Sequence, residues 1–423
     1  MNIKQIVHNR VAQNAGWIIG GKIAQMAISF VVGLITARYL GPSNYGLINY
    51  AAAYIAFFSS ICTLGINSVI VKEFVDNPGN EGVIVGSALV LRAVSSLFSA
   101  LTIIGISFVA DAGEPVTQLV VVLSAIGVIF QIFETFNYWF QYRLQSRTSA
   151  IVTFIAYVIT SAYKVILLIA KKPVTYFAFA TSLDYICLAI LLYLSYKKYN
   201  GGKLTFSKSY GIALLKRSYH FILPGLMVAI YGQTDKIMLK HMIGNEEIGY
   251  YSTAVALCNM WCFVLNAIID SLYPPIMEAF KNSKEEFDKK NKLLYSIVFY
   301  VSAGVSVLFT LFGGIAIKIL YGEAYLPAVA PLRIITWYTA FSYLGVAREA
   351  WIVCMNKQKY LKYIYFTAAI SNVILNSILI PFWGASGAAA ASLISQVITI
   401  AVPFFINDMR ENSVMIVKAI LFR

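Results

Sequence analysis

The chain has 423 residues, of which 59% are hydrophobic and only 12% charged, with a net charge of +14. That balance excludes a soluble globular enzyme and a disordered chain, and places the protein among polytopic membrane proteins. The excess of Lys and Arg sits at the ends of apolar runs, with no soluble basic domain, so it is a topology signal and an attraction to an anionic leaflet; nucleic acid is excluded as a partner.

Windows of about 20 apolar residues predict twelve membrane-spanning helices, centred near Ile28, Phe57, Leu97, Ile126, Ile159, Leu188, Ile230, Val264, Val307, Ala340, Ile370 and Ile398. Lys and Arg collect in residues 197–217, 281–292 and 357–362, which predicts cytoplasmic N- and C-termini. The start carries Lys4 and Arg10 ahead of an apolar run, as a signal peptide does. That run continues to Leu40 without a small-residue cleavage site and reads as a retained first span.

Seven cations lie inside these apolar stretches: Lys22, Arg38, Arg92, Lys164, Lys236, Arg333 and Arg348. A cation at bilayer depth costs a few kcal/mol or more, so such groups face a bundle interior or a wet cavity. In the first span Lys22, Gln25, Ser29, Gly33 and Thr36 share one stripe. The third span carries Arg92; the fourth offers Gln131, Glu134, Tyr138 and Gln141, and Glu134 is a candidate partner for Arg92.

In the fifth and sixth spans stand Lys164 and Asp184, and the basic residues 201–218 form the expected inter-lobe linker. Pro224-Gly225 predicts a kink in the seventh span. Further on, Asp235 and Lys236 point about 100° apart on a helix, one toward a cavity and the other toward a neighbouring helix. The charged run Glu285–Lys292 reads as a solvated surface helix, Arg333 is near an outer span end, and Arg348 has Glu349 beside it. Gly384-Ala-Ser-Gly-Ala-Ala-Ala-Ala, leading into the twelfth span, is a surface for close helix approach.

The five cysteines and three histidines form no metal-ligand spacing, and no Walker A motif occurs. No metal, cofactor or enzymatic activity is expected.

The chain also repeats itself. Leu40-Gly-Pro-Ser-Asn-Tyr-Gly-Leu-Ile-Asn-Tyr-Ala-Ala-Ala matches Ile243-Gly-Asn-Glu-Glu-Ile-Gly-Tyr-Tyr-Ser-Thr-Ala-Val-Ala. One constant offset, close to half the chain, carries Gly41 onto Gly244, Gly46 onto Gly249 and Asn67 onto Asp270. Both copies link the first and second spans of a six-span half, which predicts an all-α fold of two six-helix lobes related by a pseudo-two-fold along the membrane normal. The lobes are expected at residues 1–200 and 219–423. Polar faces on the second span of each half, including Asn67 in one and Asn266 and Asp270 in the other, are expected to line a cavity between them; interhelical hydrogen bonding is the plainer alternative.

Ala37-Arg-Tyr-Leu-Gly-Pro-Ser-Asn-Tyr-Gly, Thr63-Leu-Gly-Ile and Val71-Lys-Glu resemble the opening of the Wzx polysaccharide-exporting flippases. Asn137-Tyr-Trp-Phe-Gln-Tyr, Thr234-Asp-Lys-Ile-Met-Leu and Gly384-Ala-Ser-Gly-Ala-Ala-Ala are similar to later segments of that family. The resemblance implies the multidrug/oligosaccharidyl-lipid/polysaccharide exporter fold in a bacterial inner membrane. It implies flipping of undecaprenyl-pyrophosphate-linked oligosaccharide for O-antigen or a related lipopolysaccharide or surface glycan, beside a polymerase and a chain-length regulator. A MATE-type multidrug antiporter, a lipid II flippase and a membrane glycosyltransferase are the alternatives.

From depth and stripe, Lys22, Gln25, Asn67, Arg92, Lys236, Asn266 and Asp270 are the candidate substrate-binding residues. The candidate carboxylates for ion coupling are Glu134, Asp235 and Asp270.

Overall fold

The structure, a computed structural model, describes residues 10–421; the side chains of residues 10–19, 22 and 23 lie outside that description, and the predicted site residue Lys22 with them. All twelve predicted span centres fall in helices. In chain order these are α1 (Arg10–Thr63), α2 (Ile70–Asp76), α3 (Glu81–Ala110), α4 (Pro115–Phe130), α5 (Thr135–Tyr142), α6 (Ser146–Ile169), α7 (Val174–Lys198) and α8 (Lys208–Ser218). There follow α9 (Ile222–Met242), α10 (Asn245–Asn259), α11 (Cys262–Asn282), α12 (Lys284–Leu320), α13 (Val329–Ala347), α14 (Glu349–Cys354), α15 (Leu361–Ala401) and α16 (Asn407–Ile420).

Among the described residues, eight segments are long and apolar enough to cross a membrane, and they contain ten of the twelve predicted centres. The other two centres lie in α9 and α13. Asp235, Lys236 and Lys240 lower the hydropathy of α9, and Arg333, with Trp337, Tyr338 and Tyr343, lowers that of α13. The protein is an all-helical membrane protein.

Two predicted spans share α1 and two share α15, each pair divided by a glycine outside helical geometry. Gly41 stands at φ 71° and ψ 170° ahead of Pro42. Gly384, three residues after Pro381, stands at φ 51° and ψ −130°. These positive φ values strain any residue with a Cβ, and proline removes the ladder donor beside them. Pro224, by contrast, sits in the first turn of α9, where a missing N–H leaves no bond unmade, so the kink expected there is absent.

The charged run Glu285–Lys292 is the first turns of α12 itself, not a separate surface helix. Ser283 caps it, its hydroxyl accepting from the Glu286 N–H at 3.1 Å, and Lys290 pairs with Glu286 one turn away at 2.8 Å.

By its internal packing the chain divides into two units. One takes the described residues up to Leu40 with Ala51–Ala229; the other takes Gly41–Tyr50 with Ile230–Arg423. The first is built around Phe74, Phe136, Trp139, Phe140 and Tyr196. Beside that core, Glu81 accepts from the Trp139 indole at 2.5 Å and from the Arg143 guanidinium at 2.9 Å. Residues 203–218, expected as a linker, pack on this unit: the Thr205 N–H donates to the Gly82 carbonyl at 3.3 Å, and Leu214 is buried against the core. The second unit centres on Phe287, Leu294, Tyr295, Trp351 and Ile416, where α12 meets α16.

Candidate functional site

In the first unit Arg92 is fully buried on α3. Its Nη1 donates to Thr135 Oγ1 at 2.9 Å and to Asn67 Oδ1 at 3.4 Å, and its Nη2 donates to the Gln131 carbonyl at 3.0 Å. The helical run that began with α4 tightens into a 3-10 turn at Gln131–Glu134 before α5, and that turn presents the carbonyl. Glu134 adds charge at 3.9 Å. The structure thus joins three sequence-predicted residues, Arg92, Asn67 and Glu134, in one interior network. A buried cation so partnered holds α3 against the break between α4 and α5.

A cavity of about 390 Å³ opens in the same unit, with Gln25, Asn137, Gln141, Ser149 and Thr153 on its walls. The Ser149 hydroxyl donates to Asn137 Oδ1 at 2.5 Å. Amides and hydroxyls without a charge suit a polyhydroxylated ligand, since each group both donates and accepts. Gln25 is the one sequence-predicted residue on this wall.

The second unit holds a buried carboxylate. Asp235 of α9 is 2% exposed. Its Oδ1 accepts from Asn376 Nδ2 at 2.5 Å and Asn372 Nδ2 at 3.1 Å; its Oδ2 accepts from Ser392 Oγ at 2.5 Å and from the Tyr251 hydroxyl. Donors therefore come from α10 and from both halves of α15, and all are neutral. Asn376 Oδ1 is buried with no partner, and Asn372 Oδ1 accepts from Asn376 at 3.0 Å. Asp235 was singled out by its place in an apolar span. Its partners were not, although Asn372 and Asn376, one turn apart in the eleventh span, are a readable polar pair.

Lys236, a 100° step round the helix, makes none of these bonds. It is half-buried on a cavity of about 200 Å³ that Asp235, Tyr251, Asn372 and Ser392 also border, with Gln233, Asn259, Tyr338 and Gln396. Its ammonium donates to Gln233 Oε1 at 3.3 Å and forms no ion pair among the described residues. Asn266 and Asp270 are exposed on α11, and Asn266 Nδ2 donates to the Tyr343 hydroxyl at 3.3 Å. The repeat partners Asn67 and Asp270 thus differ in setting: one is in a buried network and the other is exposed.

Of the remaining cations, Arg348 is 2% exposed and both Nη atoms donate to the Thr399 carbonyl at 3.4 Å, while its neighbour Glu349 makes no direct ion pair with it. Arg333 donates to the Thr310 carbonyl at 3.1 Å.

The model of the polysaccharide biosynthesis protein family matches residues 11–280, more than half of the chain. The chain belongs to this family. An uncharacterized membrane protein of Methanocaldococcus jannaschii is 22% identical over 258 residues, a match that takes in 58% of this chain and spans only half the length of that relative. Among solved structures, the lipid II flippase MurJ in an inward closed conformation superposes with a TM-score of 0.74 at 13% identity, over 96% of this chain and 91% of that one. An inward-facing multidrug resistance MATE family transporter gives 0.69 at 13% identity, over 93% and 96%. A transporter from Pyrococcus furiosus gives 0.64 at 12% identity, over 98% of both chains. This polysaccharide biosynthesis family member therefore has the fold of the MOP superfamily, and its two-lobed membrane arrangement follows from that fold.

Proposed function

We propose that the protein is a flippase that moves undecaprenyl-pyrophosphate-linked oligosaccharide repeat units from the cytoplasmic to the periplasmic leaflet of a bacterial inner membrane, by alternating access, for O-antigen or a related surface polysaccharide. The observation that carries this reading is Lys236, a cation that makes no ion pair within 4 Å among the described residues, on a polar cavity inside the membrane that the buried Asp235 also borders. An ammonium held directly by one neutral amide has donors left for an anion, and a pyrophosphate supplies one. The neutral amide wall of Gln25, Asn137 and Gln141 supports sugar binding in the other unit. Lys22 remains a second proposed cation for the pyrophosphate.

Of the three candidate coupling carboxylates, Asp235 is the best placed. Glu134 neighbours Arg92 and Asp270 is exposed, whereas Asp235 is buried among neutral donors whose hydroxyls and amides can turn to admit a proton or a small cation. A polymerase and a chain-length regulator are the proposed partners.

Deleting the gene tests the whole reading. Completed lipid-linked repeat units should then accumulate on the cytoplasmic face. If they do not and sensitivity to cationic drugs rises, the protein is an antiporter instead.

A further inference from the structure

Helix α8 has three distinct faces. Gly211, Leu214 and Ser218 are buried on the first unit. About a quarter turn round, Tyr210 and Arg217 reach the buried carboxylate of Glu73, the tyrosine hydroxyl donating to Oε2 at 2.8 Å and the guanidinium to Oε1. The third face looks outward. It carries Lys208, Ile212 and Lys216 at four-residue steps and continues to Tyr219. Lys203 and Phe206 are exposed in the segment just before it.

The apolar members of this outward surface are strongly exposed: Phe206 at 53%, Ile212 at 48% and Tyr219 at 52%. Lys203, Lys208 and Lys216 have no ion pair among the described residues. The acids that act on α8, Glu73 and Asp76, do so at Tyr210 and Arg217, away from the outward stripe. Apolar rings and aliphatic groups interleaved with unpaired lysines match a phospholipid surface, where the former enter the headgroup boundary and the latter meet phosphates.

We propose that the outward face of α8, with Lys203 and Phe206, is a docking surface for anionic phospholipid headgroups of the leaflet on its side of the membrane. The Glu73 clamp and the Thr205 to Gly82 bond hold the platform in place beforehand, so little ordering is left to oppose binding. The proposal is independent of what the protein transports.

The test reconstitutes the full-length protein in nanodiscs of phosphatidylcholine alone or of phosphatidylcholine with phosphatidylglycerol, and reads amide hydrogen exchange across residues 203–219. Exchange should be slower with phosphatidylglycerol, and the difference should shrink as salt is raised. Each lysine removed should weaken the association roughly fivefold. Lys203→Gln, Lys208→Gln and Lys216→Gln together should therefore abolish the difference, while the same three changes to Arg preserve it. Equal exchange of the wild type in both lipids overturns the proposal, as does full protection in the triple Gln variant. Soluble glycerol phosphate that reproduces the protection in phosphatidylcholine discs also overturns it, by showing a free phosphate site instead of a leaflet contact.

Discussion

Gly46 and Gly249, the matched glycines of the internal repeat, pack backbone against backbone. A Cβ on Gly46 would lie 2.8 Å from the Gly249 nitrogen and against the Asn245 carbonyl; one on Gly249 would lie 2.8 Å from the Pro42 carbonyl carbon. The offset that carries Gly46 onto Gly249 also carries Pro42 onto Asn245. The contact is therefore reciprocal, and the two copies of the motif meet about a local two-fold.

Because backbone cannot swing aside as a side chain does, Gly46→Ala or Gly249→Ala should destabilise the protein by about 3 kcal/mol, at the upper end of overpacking costs. Fluorescence-detected gel filtration after a temperature series should show earlier loss of the monodisperse peak for both. Gly33→Ala, where no atom lies within 4 Å, is the control and should leave the profile unchanged.

Asp235→Asn should preserve the folded protein, since an amide of the same shape still accepts from Asn372 and Asn376 through its oxygen and can donate to the Tyr251 and Ser392 hydroxyls through its nitrogen. It removes the titratable charge, so surface glycan in a complemented deletion strain should fall at least tenfold at equal membrane abundance. Normal glycan with Asp235→Asn would take the coupling role away from this residue.

Lys236→Gln separates cargo recognition from coupling. The variant should fold normally, because the ammonium makes a single hydrogen bond, to Gln233, among the described residues, and should transport poorly. Lys236→Arg should restore a large part of the activity. If Gln and Arg variants transport alike, the cation is not a cargo contact.

Arg92→Ala has a different expected signature. It strips Thr135, Asn67 and the Gln131 carbonyl of a buried donor at once, and breaking a buried pair of this kind costs about 3–5 kcal/mol. Glycan export should fall in proportion to the loss of folded protein measured by gel filtration, whereas the Lys236 variants lose export without losing protein.

Glu73→Gln should loosen α8, because the amide can no longer ion-pair with Arg217. Trypsin should then cut at Lys203, Lys208 and Lys216 several-fold faster in detergent. Cutting at the wild-type rate would mean that the packing of Leu214 alone holds the helix.

Membrane class, the positions of the twelve helical cores and the repeat were legible in the sequence, since hydropathy acts locally along the chain; the breaks at Gly41 and Gly384 were not read as such, and the kink expected at Pro224-Gly225 is absent. The same reading marked Arg92, Asp235 and Lys236 as exceptional, because a charge in an apolar run stands out whatever surrounds it. It could not assign their roles. Those depend on helix rotation and on neighbours far away in sequence: Arg92 meets Gln131 and Thr135 across a 3-10 break, and Asp235 meets Asn372, Asn376 and Ser392 from the two halves of a helix broken by Gly384. Lys236, one residue and a 100° turn away, is left facing a cavity. Tertiary packing alone decided that Arg92 and Asp235 are each held by several hydrogen bonds and Lys236 by one.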